Sequence, residues 1–212
     1  LANMGRPLDT LLERDDVIEQ LYTLTGGDPL KAELYVDWLY GQREASARLR
    51  PEELARIEPD YRGFFRYWWE AQERLWSQTG QADPLEKQAV RVLLSILATA
   101  LGPLRTSDVK QLMPAELSPG KITIRQALRP LRRFVIGDGE DVGLSFAHPR
   151  LADYFREEFL DDDERQTWQV AFVRWGLAQI GRRPAGEREK PALSSYLLQY
   201  LSPHLDLAGE PV

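Results

Sequence analysis

Leu144-Ser145-Phe146-Ala147-His148-Pro149-Arg150-Leu151-Ala152-Asp153-Tyr154-Phe155 changes its period halfway along. Leu144 and Phe146 share one face of an alternating, strand-like segment, whereas Leu151, Tyr154, Phe155 and Phe159 recur at the 3.6-residue spacing of a helix. The switch falls at His148. Pro149 fixes where the helix begins, because its locked φ and missing N–H suit the first helical position. His148 is then expected at the helix start, beside backbone N–H groups that no preceding turn satisfies, an arrangement able to hold an anion. The plain alternative is a histidine that caps the helix and does nothing more. The helix itself is predicted to run to about Leu160.

Upstream of this hinge the pattern is compact. Pro84 opens a long apolar helix through Val90, Leu93, Leu94, Leu97 and Leu101, which Gly102-Pro103 ends. Leu104 can form a minimal strand, and Thr106 or Ser107 can cap a short helix carrying Val109 and Leu112. A third helix carries Ile124, Leu128 and Leu131, with Pro130 inside it predicting a kink or an early end. Phe134-Val135-Ile136 is β-like, Gly137-Asp138-Gly139-Glu140-Asp141 makes a turn, and Gly143 to Phe146 makes the return strand of a hairpin. Helix, short strand, helix, helix and hairpin is the order of a winged helix.

Further towards the N-terminus, Asp15 and Asp16 can cap a helix through Val17, Leu21 and Leu24 that stops at Gly26-Gly27. Asp28 stands where an N-cap belongs and Pro29 where the next helix begins, with Leu30, Leu34, Trp38 and Leu39 as its apolar face. Gly27-Asp28-Pro29-Leu30 is therefore a tight interhelical turn. A short helix is expected from Glu52 to Ile57. Tyr61, Phe64, Phe65, Trp68, Trp69, Leu75 and Trp76 then recur at helical spacing, which predicts the buried stripe of a helix joining two subdomains. Beyond the hinge, Asp161-Asp162-Asp163-Glu164 opens a helix whose apolar side is Trp168, Phe172, Trp175 and Leu177. A charged linker precedes a final helix with Leu193, Tyr196, Leu197, Tyr200 and Leu201. The expected organisation is a mainly α chain: a helical subdomain over 1-80, a winged helix with a small β-hairpin over 81-160 and a helical extension over 161-212.

Composition narrows the chemistry. The 212 residues, 43% hydrophobic and 28% charged, are ordinary for globular chains. There is no Cys, hence no disulfide framework or thiolate metal site, and the only histidines, His148 and His204, exclude most histidine metal clusters. The apolar run from Val92 to Leu101 is shorter than the roughly 20 residues that span a bilayer, and no secretory signal opens the chain. A cytoplasmic protein is expected, and Leu1 as the first residue predicts a piece of a longer one. No set of nucleophile, base and orienting group supports an enzyme acting alone. The net charge of −6 argues against broad affinity for nucleic acid or anionic membrane. One feature supports a DNA-binding winged helix nonetheless: Lys121, Arg125, Arg129, Arg132 and Arg133 put basic charge on one side of the third helix, where major-groove readers carry theirs. Against it, Asp138, Glu140 and Asp141 would repel the phosphate backbone.

Three features together resemble the regulatory half of STAND nucleotide switches, the NACHT and NB-ARC class of signalling ATPases. Gly27-Asp28-Pro29-Leu30 is similar to that family's Gly-x-Pro motif, the order from Pro84 to Phe159 to its winged helix, and Leu144 to Pro149 to its strand ending in a histidine before a helix. The resemblance implies that Pro29, with Gly27 in its turn, lies against a nucleotide base and that His148 touches a phosphate of bound ADP. It implies as partners an ATPase core upstream and a sensor region downstream in the same polypeptide, ADP or ATP with Mg in that parent, and oligomerisation on activation. No Gly-x-x-x-x-Gly-Lys-Ser/Thr occurs here, so no catalytic residue is assigned and the chain by itself is expected to hold no cofactor and to hydrolyse no ATP.

Overall fold

The computed structural model describes residues 14–41, 51–55, 61–78, 84–117, 123–181 and 193–209. They fall into two compact units, Leu1–Gly80 and Gln81–Val212. The described chain is mainly helical with a small two-stranded antiparallel sheet.

In the first unit, α1 (Asp15–Thr25), α2 (Pro29–Gly41), α3 (Pro51–Leu54) and α4 (Tyr61–Gln78) surround a core of Val17, Leu24, Leu34, Tyr35, Leu54, Phe64, Phe65 and Trp68. The Tyr35 and Phe64 rings meet edge to face at 4.9 Å. Gly26 closes α1 in the left-handed region at φ 58°, its N–H donating to the Tyr22 carbonyl at 2.8 Å. Asp15 and Asp16 occupy the first turn of α1 instead of capping it, because Arg14 holds the cap position and draws Asp16 into an ion pair at 2.7 Å. The aromatic stripe of α4 is buried at Phe64, Phe65 and Trp68 only; Leu75 is 54% exposed. The expected helix from Glu52 is found as Pro51–Leu54, and Ile57, with the side chains of Trp38 and Leu39, lies outside the described residues.

The second unit is built around α5 (Pro84–Thr99), whose Ala89, Val90, Leu93, Leu94, Ile96, Leu97 and Ala98 are all buried. After Gly102-Pro103 the chain extends, and Leu104 pairs with Leu144 through reciprocal N–H to carbonyl bonds of 3.0 and 2.7 Å. Helix α6 (Thr106–Leu112) follows with Arg105, not Thr106 or Ser107, at its N-cap; buried Asp108 accepts the Arg105 N–H at 3.3 Å, while the Thr106 N–H goes to the Gly139 carbonyl at 2.7 Å. Helix α7 (Ile124–Leu128) starts with a reciprocal cap, the Gln126 N–H to Thr123 Oγ1 at 3.2 Å and the Thr123 N–H to Gln126 Oε1 at 2.8 Å. At Pro130 it tightens into a 3₁₀ turn, Arg129–Leu131, as a proline with no N–H requires.

Strand β1 (Val135–Ile136) pairs with β2 (Ser145–Phe146), Val135 opposite Phe146 and Ile136 opposite Ser145. Helix α8 (Pro149–Tyr154) is shorter than expected, because the chain passes into a π-helical turn at Phe155–Phe159. The Arg165 guanidinium holds the end of that turn, donating to the carbonyls of Arg156 at 2.9 Å and Leu160 at 2.8 Å. Phe155 is its buried pivot, stacked on Phe146 at 5.0 Å.

Helix α9 (Asp162–Gly181) opens on a cap in which Asp161 Oδ1 accepts the Glu164 N–H at 2.7 Å. It pairs antiparallel with α10 (Ser195–Ala208) along the stripe Phe172, Val173 and Gly176. Trp175 is buried as well, but Trp168 is half-buried and Leu177 exposed, since α10 covers the neighbouring face.

Candidate functional site

Strand β2 delivers His148 to the start of α8. Phe146 turns inward onto Phe155, and the Ala147 N–H continues the ladder by donating to the Phe134 carbonyl at 2.8 Å. His148 remains extended (φ −146°, ψ 141°), takes the N-cap position and is half-buried. Its Nδ1 accepts the Arg150 N–H at 3.1 Å, and its carbonyl accepts the Leu151 N–H at 3.0 Å. The backbone N–H groups expected to stand unpaired beside it are therefore taken: Pro149 has none, and His148 itself receives those of Arg150 and Leu151. A ring whose Nδ1 accepts carries its proton on Nε2. That Nε2–H is the polar group the cap leaves over.

Gly27 and Pro29 lie in the first unit and His148 in the second. In the turn between α1 and α2, Gly27 has φ 75° and an added Cβ would sit 3.3 Å from the Tyr22 ring. Asp28 Oδ1 accepts the Leu30 N–H at 2.9 Å, and Gly27 and Pro29 are exposed. Capping chemistry accounts for Asp28 Oδ1 and for Pro29, Asp28 Oδ2 lies 3.5 Å from the Tyr61 hydroxyl, and Gly27 and Pro29 keep exposed surface.

The basic face divides. Arg125, Arg129 and Arg132 are exposed, and their side chains make no hydrogen bond or ion pair among the described residues, whereas Arg133 is half-buried with its guanidinium over the Phe134 ring at 5.9 Å. Lys121 lies outside the described residues. Two clefts flank Arg125. One, of about 220 Å³, opens between α7 and the hairpin and is lined by Arg125, Leu128, Arg132, Val135, Asp138 and Glu140 among others. The second, of about 270 Å³, opens between α6 and α7 and is lined by Lys110, Met113, Leu117, Ile124, Arg125 and Glu140 among others. Asp138 is committed to the turn: its Oδ1 accepts the Glu140 and Val142 N–H groups at 2.8 and 2.9 Å, which holds its carboxyl below the usual range.

A polar cluster that the hydrophobic pattern did not single out lies between α9 and α10. His204 is fully buried and stacked on Phe172 at 4.4 Å. Its Nε2 lies 2.7 Å from the Tyr196 hydroxyl and its Nδ1 2.6 Å from Gln169 Oε1, while the Tyr196 oxygen accepts the Leu101 N–H at 2.9 Å. Burial pushes His204 down to about 4 and pushes the Tyr196 phenol up. The four-residue spacing of Tyr196, Tyr200, His204 and Ala208 was the available signal.

Among the described residues no group of three or more His, Asp or Glu side chains could hold a metal ion, and no helix is long and apolar enough to cross a membrane. Comparison with known proteins finds no matching family model, no matching curated protein and no matching solved structure.

Proposed function

We propose that this chain is the regulatory part of a nucleotide-switch protein of the NACHT and NB-ARC kind, with the elements from α5 to β2 forming a winged helix that closes over ADP held by an ATPase core. The observation that carries the reading is the course of β2 into His148. A cap through Nδ1 fixes the ring and leaves Nε2–H as a donor of defined direction, which is what a phosphate contact needs. The order of α5, the Leu104 bridge, α6, α7, β1 and β2 supports the winged helix. The exposed Gly27 and Pro29, at the end of a capped turn, support an apolar contact with a base. Release of ADP would then open the switch, because a ligand stabilises whichever conformation it binds better.

The test is ADP dissociation from the parent protein. A hydrogen bond to a charged partner contributes roughly 1.5–3 kcal/mol, so His148→Ala should speed ADP release by about 10- to 150-fold. An unchanged off-rate would overturn the phosphate contact. Steady phosphate release from ATP by the purified 212-residue chain would overturn its assignment as regulatory part only.

A further inference from the structure

Half of the large apolar side chains left exposed among the described residues lie on one pair of helices: Leu177 and Ile180 on α9, and Leu198, Leu205 and Leu207 on α10. Leu198, at 72%, is the most exposed of them. Helix α10 has one charged residue, Asp206, among its 14. Its inner face of Tyr196, Leu197, His204 and Ala208 is buried, with Leu197 and Leu201 packed on Gly176 of α9. A second stripe, Leu198, Ser202 and Leu205, follows on another side at i, i+4, i+7 spacing and is exposed throughout. A helix that is apolar on more than its core face is one that is covered on more than its core face.

We infer that α10 pairs antiparallel with α10 of a second copy of this chain, about a two-fold axis at Ser202. The stripe is its own complement. Leu198 lies four residues before Ser202 and Leu205 three after it, so a dyad there sets Leu198 of each copy beside Leu205 of the other, and the small serine lets the helices approach. Charge points the same way. A covering surface must itself be uncharged, because a carboxylate or ammonium pressed onto leucines loses its hydration and gains no partner. In a chain with 28% charged residues the stripe itself meets that requirement, with Ser195 and Gln199 as its exposed neighbours. The two Asp206 carboxylates would stand roughly 12 Å apart along the axis at 1.5 Å per residue, beyond the Debye length of about 8 Å, so they do not oppose the pairing. With two leucines and a serine from each copy, the contact falls short of the roughly 800 Å² per partner of standard stable interfaces. Pairing is therefore reversible and depends on concentration. It needs no nucleotide and does not depend on whether His148 contacts a phosphate.

Sedimentation equilibrium of the full 212-residue chain tests the pairing. The mean mass should rise from 24.3 kDa towards twice that value between about 5 and 500 µM. Leu198→Lys and Leu205→Glu, both at exposed positions, should each weaken association about tenfold or more with an unchanged melting temperature. Mixed in equal amounts, these two variants should associate again. In the antiparallel dyad the introduced lysine of one copy faces the introduced glutamate of the other, and the two remaining leucines face each other. The chain has no cysteine, so Ser202→Cys and Ser195→Cys each carry a single thiol. A short bis-maleimide should join two copies about tenfold faster, or more, through position 202 than through position 195, whose two counterparts stand roughly 21 Å apart along the axis. A mean mass that stays at 24.3 kDa over the whole range would give the stripe to a different protein and overturn the pairing. So would association untouched by either charged variant, a mixture of the two that stays monomeric, or equal bridging through 202 and 195.

Discussion

Tyr196 donates its phenolic proton to Nε2 of His204 across 2.7 Å, and the direction of that bond is fixed by its neighbours. The Tyr196 oxygen already accepts the Leu101 N–H at 2.9 Å, and Gln169 Oε1, 2.6 Å from Nδ1, can only accept. The chain of donors therefore runs from Leu101 through Tyr196 to His204 and on to Gln169, and every member is satisfied only while His204 is neutral. The relay joins the end of α5 to both α9 and α10.

Burial withholds the solvation that a charged imidazolium needs, so the pKa of His204 falls to about 4 in the folded chain from the ordinary value of 6.5. The unfolded chain then binds the extra proton throughout the window between those values. Stability is fully present above pH 6.5 and is lost as pH falls towards 4, by about 3 kcal/mol in all at 1.36 kcal/mol per unit. Urea melts at pH 7 and pH 4.5 should show this loss. His204→Gln should be less stable at pH 7 and should flatten the contribution, and an unchanged pH slope in that variant would assign the acid sensitivity to other groups.

The hairpin turn gives an ordered pair of variants. Gly137 (φ 95°) and Gly139 (φ 78°) both adopt backbone that disfavours a side chain, but an added Cβ at Gly137 would lie 2.2 Å from the Gly143 carbonyl oxygen, whereas at Gly139 it would lie 2.1 Å from the Thr106 hydroxyl. The backbone across the turn cannot rotate away; a threonine side chain can. Each substitution to Ala should cost about 1–3 kcal/mol, with Gly137→Ala the larger in urea midpoint. Thr106→Ala should recover part of the loss in Gly139→Ala and none in Gly137→Ala.

Local chemistry was legible and tertiary accommodation was not. The Gly26-to-Pro29 turn, the break at Pro130, the hairpin and the period switch at His148 each rest on a residue whose backbone preference acts over one turn. The candidate site was legible as far as His148's position. Its pairing with the Arg150 N–H, which uses up the donors expected beside it, needed the ring's direction. The π turn depends on Arg165 reaching back to the Arg156 and Leu160 carbonyls, and no local pattern announces such a contact. The basic face split because a 3₁₀ turn advances about 120° per residue against 100° for an α-helix. Three residues of it swing the next side chains round by about 60° more, and Arg133 turns in over Phe134 while Arg132 stays out.

Arg165 also yields a stability prediction. Its guanidinium replaces the backbone donors that a regular helix would have offered the Arg156 and Leu160 carbonyls. Arg165→Met keeps the stem and removes those donors. It should lower stability by about 1–2 kcal/mol, and hydrogen exchange should quicken at 155–160 while α5 stays protected.

His148 carries two separable roles, and three side chains at that position tell them apart. The cap needs only an acceptor facing the Arg150 N–H, now 3.1 Å from Nδ1. Asn is among the best N-cap residues, so His148→Asn should keep the melting temperature near that of the unchanged chain, while His148→Ala should cost about 1 kcal/mol. A phosphate contact needs in addition the reach and direction of Nε2–H, which Asn's shorter amide does not reproduce. In the parent protein His148→Asn should therefore release ADP nearly as fast as His148→Ala despite its better stability. Melting curves of this chain and ADP off-rates of the parent, measured on the same two variants, give the comparison. Off-rates that track stability, slow in Asn and fast in Ala, would reduce His148 to a cap; fast release in both, with stability lost only in Ala, would establish the ring as the phosphate's partner.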